Sequence, residues 1–313
     1  MFLFIGLLLC VIQLKAENPL IIAERFLKGG GWIEIPLIAL YGACIVYKMS
    51  NPATAARWRI ISWTVFSIVF FTQLILGIIV SEKFLMTGKL HLPVPAMIIS
   101  GPIYRGQFSV MTILFLSTVA LTGPAWCSQL CYFGAIDGLA ASFSTNRSTL
   151  NNKFRFKHTG LFLLIAGTIL LRIAGVNTTI STLAGMIIGI TGLLLILFLS
   201  RKKGKMMHCI LYCPIGTMVN YLKYLNPFRL EIDMNCTFCG SCTPVCRYDA
   251  LSLSDLKRKK PGRTCTLCGD CLAACPVNSI HYRLLRLGPE LSRNIYLLLT
   301  VSIHSVFLAL ARI

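Results

Sequence analysis

The segment from Cys236 to Pro276 constrains this chain more than any other, because it holds one cysteine spacing twice. Each copy reads C-x2-C-x2-C-x3-C, a spacing typical of [4Fe–4S] binding. A cubane cluster needs four converging thiolates, so three close cysteines wrap one cluster and the fourth reaches the other cluster. The prediction is therefore two ligand sets: Cys236, Cys239, Cys242 and Cys275 form the first cubane site, and Cys265, Cys268, Cys271 and Cys246 form the second cubane site.

Zinc is the alternative metal for this segment, because zinc also binds paired C-x2-C motifs. Eight cysteines with two x3 arms fit zinc poorly, so the spacing favours iron–sulfur clusters. Gly240 and Gly269 occupy matching places in the two copies, which predicts tight loops without a side chain around a bulky cofactor. The second copy ends in Pro276, but the first copy has Arg247 there. The extra positive charge predicts different potentials for the two clusters.

Composition places the rest of the chain in a membrane. Of its 313 residues 56% are hydrophobic and only 13% are charged, which is too apolar for a soluble domain of this size. Its fourteen cysteines lie mainly in metal-ligand spacings, so they indicate reduced thiols rather than disulfides. The net charge of +19 could indicate nucleic acid, but the basic residues collect in loops between apolar runs. That arrangement is typical of membrane topology, and no nucleic-acid partner is predicted.

The apolar runs predict a mainly α, polytopic transmembrane protein of about six to seven helices with an inserted ferredoxin-like domain. The run at 1–14 is short for a span, and whether residues 1–16 are cleaved stays open. Four segments are predicted: N-terminal membrane helices at 1–50, a transmembrane core of two hairpin repeats at 51–223, a bacterial-type two-cluster ferredoxin domain at 224–286, and a C-terminal transmembrane helix at 287–313.

Basic residues predict the orientation of the spans. The loops at 48–59, 125–158 and 201–294 together carry twenty-two Lys or Arg. The loops at 15–31 and 81–107 carry six. Because cytoplasmic loops carry the excess of Lys and Arg, the cysteine motifs are expected on the cytoplasmic side of the inner membrane.

Two further cysteine pairs close an internal repeat. A hairpin at about 60–124 ends in C-x3-C-Y-x-G, and a hairpin at about 160–200 ends in C-x3-C-P-x-G. Repeated hairpins pack about a pseudo-symmetry axis, which predicts that the two pairs meet at the cytoplasmic face. We name these four cysteines the hairpin site: Cys127, Cys131, Cys209 and Cys213.

Three interpretations of the hairpin site stay open. Because residues i and i+4 share one helix face, each pair could act as a two-thiol unit. The four thiols could then ligate an additional iron–sulfur or other metal centre, or cycle between dithiol and disulfide. They could also be ordinary buried cysteines. Their matched positions favour metal or redox chemistry.

In its order of motifs, the chain resembles the NapH/NosR family of membrane polyferredoxins. The resemblance covers about residues 55–285 and rests on two hairpins ending in C-x3-C followed by the two-cluster segment. It implies that electrons pass from quinol to redox partner proteins, and relatives are implied to reduce copper or to assist maturation of other redox enzymes. Tyr132 and Arg247 depart from the family pattern, which has proline at both positions.

The sequence thus predicts one-electron transfer between the quinone pool and a redox partner through two [4Fe–4S] clusters. The protein would be a quinol-dehydrogenase-like oxidoreductase or an electron-transfer subunit of one. Two alternatives remain: a metal (copper) reductase or maturation factor, and an electron-wire subunit of a larger complex without its own quinone site. The loop at 81–107, with Lys89, His91 and Arg105, is a candidate cover for a quinone headgroup, although a plain interfacial loop is the preferred interpretation.

Overall fold

The structure is a computed structural model that describes the chain except residues 86–91, 109, 145–149, 151 and 311–313. The described part is mostly helical. Its α-helices are α1 (Phe2–Lys15), α2 (Ile22–Phe26), α3 (Gly31–Ser50), α4 (Pro52–Ile79), α5 (Met97–Arg105), α6 (Val110–Thr122), α7 (Tyr132–Ser142), α8 (Lys153–Ile173), α9 (Thr178–Leu195), α10 (Arg201–Lys203), α11 (Pro214–Leu222), α12 (Cys242–Val245), α13 (Leu253–Lys257) and α14 (Pro289–Leu310). Its strands are β1 (Phe228–Ile232) and β2 (Ile280–Leu284).

Six helical segments among the described residues are long and apolar enough to cross a membrane. At a rise of about 1.5 Å per residue, about 20 residues cover the hydrocarbon core of a bilayer. The predicted polytopic helical fold is therefore confirmed, and α1 is a shorter apolar helix. The six segments are Gly31–Ser50, Pro52–Ile79, Met111–Leu130, Lys153–Ile173, Thr178–Lys203 and Pro289–Leu310.

The chain forms two compact units. One contains Met1–His91 together with Arg293–Ile313, and the other contains Leu92–Ser292. In the first unit α1 packs along α3, and small and aliphatic side chains fill the space between the helices. This core consists of Ile5, Leu9, Ile21, Ile35, Ala39 and Ala309.

The second unit contains all the cysteines of the three predicted sites. Within it, β1 and β2 pair antiparallel, with Phe228 opposite Leu284 and Ile232 opposite Ile280. Residues 228, 230 and 232 of β1 are buried, as expected where side chains alternate along a strand. The pair brackets the segment that carries the eight cubane-site cysteines and brings its two ends together.

Candidate metal centres

The structure gathers the eight cysteines of the repeated spacing around two small cavities. Each cavity is lined by four of these cysteines, and each group of four draws three from one copy and one from the other copy. One cavity is lined by Cys236, Cys239, Cys242 and Cys275. The second is lined by Cys246, Cys265, Cys268 and Cys271. These are the two sets that the spacing predicts as the first and second cubane sites.

The backbone follows the same path in both copies. Left-handed conformations recur at matching places, where they turn the chain so that its cysteines face one point. They are Phe238 (φ 57°) and Leu267 (φ 57°), Gly240 (φ 76°) and Gly269 (φ 79°), and Asp249 (φ 51°) and Asn278 (φ 48°). The two glycines thus stand in tight turns. The second is the more confined, because a Cβ on Gly269 would lie 2.6 Å from Tyr282 Oη, while one on Gly240 would have no neighbour within 4 Å.

The two cubane sites differ in their surroundings. Cys239 of the first site is exposed, whereas Cys246 and Cys271 of the second site are buried. Burial raises the pKa of the Cys246 thiol to about 12. Hydrogen bonds from Ser241 lower the pKa of the exposed Cys239 thiol. Cys239 therefore makes the first site the more exposed of the two to solvent.

Two lysines hold the ligand loops of the second cubane site. The Lys205 side chain is fully buried, and its Nζ donates to the carbonyl of Cys246 at 2.7 Å. Lys223 Nζ donates to the carbonyls of Arg263 at 2.7 Å and of Cys265 at 3.4 Å. Both ammonium groups place positive charge beside the thiols of this site.

The first cysteine of each C-x3-C pair lies in a π-helical turn, Trp126–Leu130 or His208–Tyr212, and the second cysteine directly follows that turn. Neither pair therefore has the regular i, i+4 helical geometry considered for a two-thiol unit. The amide of Cys131 donates five residues back to Trp126 O, and that of Cys213 donates to His208 O. At the second cysteine of each pair the backbone becomes extended, and α7 or α11 begins at the next residue. A widened turn thus separates the two thiols of a pair, and a new helix begins directly after the second.

The second cysteine of each pair also caps the helix that follows it. Gly134 N donates to Cys131 Sγ at 3.4 Å, and Gly216 N donates to Cys213 Sγ at 3.5 Å. Glycine suits this place in the second repeat, because a Cβ on Gly216 would lie 3.0 Å from the carbonyl oxygen of Cys209. The glycine of the second motif therefore reflects close backbone packing at its cysteine turn.

All four cysteines of the hairpin site line one cavity, together with Lys157 and His208. Lys157 is only 2% exposed, and no carboxylate among the described residues pairs with its ammonium. A buried charge costs several kcal/mol unless an opposite charge compensates it. Four metal-bound thiolates would supply that negative charge.

Asp137 is a supporting residue that the motif analysis missed. It is fully buried on α7, where its carboxylate accepts from Ser200 Oγ at 2.5 Å and from Cys209 N at 2.9 Å. These bonds join the two repeats and fix the turn that carries the second pair. Burial raises the pKa of Asp137 to about 6. The sequence alone could have singled out Asp137, because it is the only acidic residue between Glu82 and Glu231.

Two hydrogen bonds connect the hairpin site to the second cubane site. Tyr248 Oη donates to the carbonyl of Cys127 at 2.7 Å, and Ser128 Oγ donates to the carbonyl of Thr266 at 3.2 Å. Tyr248 follows Cys246 by two residues, and Thr266 follows Cys265 directly. Both Tyr248 and Thr266 also line the hairpin cavity. The second cubane site and the hairpin site are thus adjacent.

Burial at the hairpin site opposes the thiolate form that disulfide exchange needs. Burial raises the pKa of the Cys131 thiol to about 12 and also raises the pKa of the Cys209 thiol. For Cys213 burial again raises the pKa, opposed by the Gly216 amide and the Lys157 ammonium. A protonated thiol is a poor nucleophile for disulfide exchange. A bound metal displaces the proton, so the donor set fits a thiolate-ligated centre.

Two family models match the chain. One is described as a 4Fe-4S dicluster domain and matches residues 235–280, which include both cubane sites. The chain is an iron–sulfur protein. The other model is described as a 4Fe-4S binding domain and matches residues 106–151 and 182–231, each of which contains one C-x3-C pair.

Searches of curated proteins and of solved structures gave no significant match. Both matched models describe 4Fe-4S domains and neither describes the NapH/NosR family, so membership of that family stays a prediction. Of the residues in the candidate quinone loop, Lys89 and His91 lie outside the described residues, and Arg105 ends α5.

Proposed function

We propose that this iron–sulfur protein carries electrons across three metal centres, between the quinone pool of a membrane and a redox partner. The observation that carries the proposal is the grouping of twelve cysteines into three sets of four, each around its own cavity. The dicluster model supports two [4Fe–4S] clusters, and the second model supports a third at the hairpin site.

The assigned ligands are those that line each cavity. When bound, the clusters accept and donate single electrons. The first set is Cys236, Cys239, Cys242 and Cys275, the second is Cys265, Cys268, Cys271 and Cys246, and the third is Cys127, Cys131, Cys209 and Cys213.

The remaining residues would position and tune these ligands. Tyr248 and Ser128 fix the hairpin site against the second cubane site through their bonds to main-chain carbonyls. Lys157, Lys205 and Lys223 place positive charge near thiolate ligands, which stabilises the more negative reduced state. The exposed Cys239 leaves the first cubane site accessible to a partner protein.

The quinone assignment rests on the membrane spans and on the resemblance to membrane polyferredoxins. Cys127 and Cys131 lie at the end of the span Met111–Leu130, and Cys209 and Cys213 follow the span Thr178–Lys203 within ten residues. A quinol headgroup would approach the protein at these span ends. The excess of Lys and Arg in the adjoining loops supports a cytoplasmic position for this end.

Anaerobic reduction tests the proposed function. The purified protein with oxidised clusters is mixed with a reduced quinol analogue, and the iron–sulfur EPR signals and visible bleaching are followed. We expect reduction by quinol in this chain alone. If dithionite reduces the clusters but quinol does not, the chain has no working quinol site, and subunits that co-purify in mild detergent become the candidates for loading it.

One observation favours metal handling as a second function. Ligand atoms of Asp137, His208 and Cys209 lie within 4.8 Å of one another, and His208 Nδ1 has no hydrogen-bond partner among the described residues. Such a group could hold a metal ion that is reduced rather than retained. Quinol oxidation and cupric-ion reduction assayed separately in Cys127→Ser and Cys209→Ser variants distinguish the two. Loss of metal reduction alone would favour the metal-handling function.

A further inference from the structure

A cavity of about 950 Å³ in the second unit belongs to none of the three cysteine sites, although Cys265 forms part of its wall. It lies among the start of α8, the end of α11, strand β1 and the loop after α13. Its volume is within the range of small-molecule sites. Six of its lining residues are cationic and two are acidic: Lys153, Lys223, Arg229, Arg258, Lys260 and Arg263, with Glu231 and Asp255.

The two acidic residues of the cavity neutralise only one of its six cations. Glu231 pairs with Arg283, which is outside the cavity, and Asp255 pairs with Arg258. Lys153 pairs with Asp249 at 2.8 Å. The remaining cations have no carboxylate partner within the described ranges: they are Lys223, Arg229, Lys260 and Arg263. An excess of positive charge in one cavity calls for an anionic ligand.

The position of the cavity identifies the class of anion. Lys153 and Phe154 begin the segment Lys153–Ile173, which is long and apolar enough to cross a membrane, so this edge of the cavity would lie near the membrane surface. Phe154 and the exposed Tyr224 contribute aromatic rings of the kind that border membrane interfaces. The Arg263 guanidinium lies 5.9 Å from the centre of the Phe154 ring. Further along α8, apolar side chains such as Phe162 and Leu163 are exposed.

We propose that the cavity binds the phosphate headgroup of an anionic phospholipid. Lys260 and Arg263 would contact the phosphate, and the acyl chains would follow the exposed apolar face of α8. Basic pockets beside transmembrane helices bind anionic headgroups in this way. The site lies against the loop of Cys265, so a bound lipid would also fasten the cysteine segment to the membrane surface.

Lipid retention tests this site independently of electron transfer. The whole protein is reconstituted in nanodiscs of phosphatidylglycerol or of phosphatidylcholine, extracted in mild detergent, and examined by native mass spectrometry for bound lipid. We expect selective retention of phosphatidylglycerol. Each of Lys260→Gln and Arg263→Gln should weaken binding about 5-fold, and the double variant about 30-fold, as for the removal of one and two interfacial charges.

Lys257→Gln is the matched control, because Lys257 is an exposed neighbour on α13 that does not line the cavity. It should retain lipid as the wild type does. Both substituted residues are exposed, and unchanged thermal unfolding of the double variant would show that its fold is intact. Equal retention of the two lipids, or retention unchanged in the double variant, would overturn the proposal. Binding of glycerol phosphate without retained lipid would identify a soluble phosphate compound instead and would overturn it equally.

Discussion

Replacing Lys157 by methionine should lower the midpoint potential of the metal centre at the hairpin site. An ideal Cβ position on Gly216 serves as a common reference point. It is 3.6 Å from Lys157 Nζ and 3.8 Å from Cys213 Cβ. Lys157 Nζ and Cys213 Cβ are therefore less than about 8 Å apart. At about 8 Å and an effective dielectric constant of about 20, a unit charge contributes about 2 kcal/mol. For one electron that free energy corresponds to about 90 mV.

An EPR-monitored redox titration measures this shift. Methionine fills a similar volume without charge, so the cavity should keep its packing. Lys157→Arg retains the charge and serves as the control, with an expected potential near that of the wild type. The two cubane sites should shift much less, because Lys157 lines neither of their cavities. An unchanged potential at full metal occupancy in Lys157→Met would refute the idea that this ammonium compensates bound thiolates.

Three further substitutions test the supporting residues. Tyr248→Phe removes the 2.7 Å hydrogen bond to the carbonyl of Cys127, which should lower the free energy of unfolding by about 1–3 kcal/mol. Quinol-dependent reduction should become slower at unchanged iron content. Equal rates in variant and wild type would contradict a bridging role for Tyr248. An asparagine at position 137 has one acceptor oxygen and cannot accept from both Ser200 Oγ and Cys209 N, so Asp137→Asn should lose iron from the hairpin site alone. Equal loss of iron from all three sites would argue against this local role. Gly269→Ala should lower the unfolding temperature more than Gly240→Ala, because both need a positive φ but only Gly269 meets Tyr282 at 2.6 Å.

The sequence predicts the helical membrane fold and the grouping of the cubane cysteines because both depend on local patterns. Span length and hydropathy are properties of continuous segments, and ligand spacing is set by the size of one cluster. The structure accordingly has six apolar segments and two cavities with the predicted cysteine sets.

The features that sequence reasoning missed depend on contacts between distant residues. The burial of Lys157 and of Asp137 follows from the packing of α8 and α7 against the turn His208–Tyr212, which spacing does not encode. The bond from Tyr248 to Cys127 joins residues 121 positions apart. The π-helical turns at the C-x3-C pairs were missed because an i, i+4 pair was assigned the regular helical period.

Iron and acid-labile sulfide per chain, measured in the anaerobically purified protein, test the three-centre account most directly. The account predicts three [4Fe–4S] equivalents in the wild type, one for each cavity lined by four cysteines. It predicts two equivalents in the Cys127→Ser/Cys209→Ser double variant, with the EPR signals of the cubane sites retained. Two equivalents in both proteins would contradict a metal centre at the hairpin site.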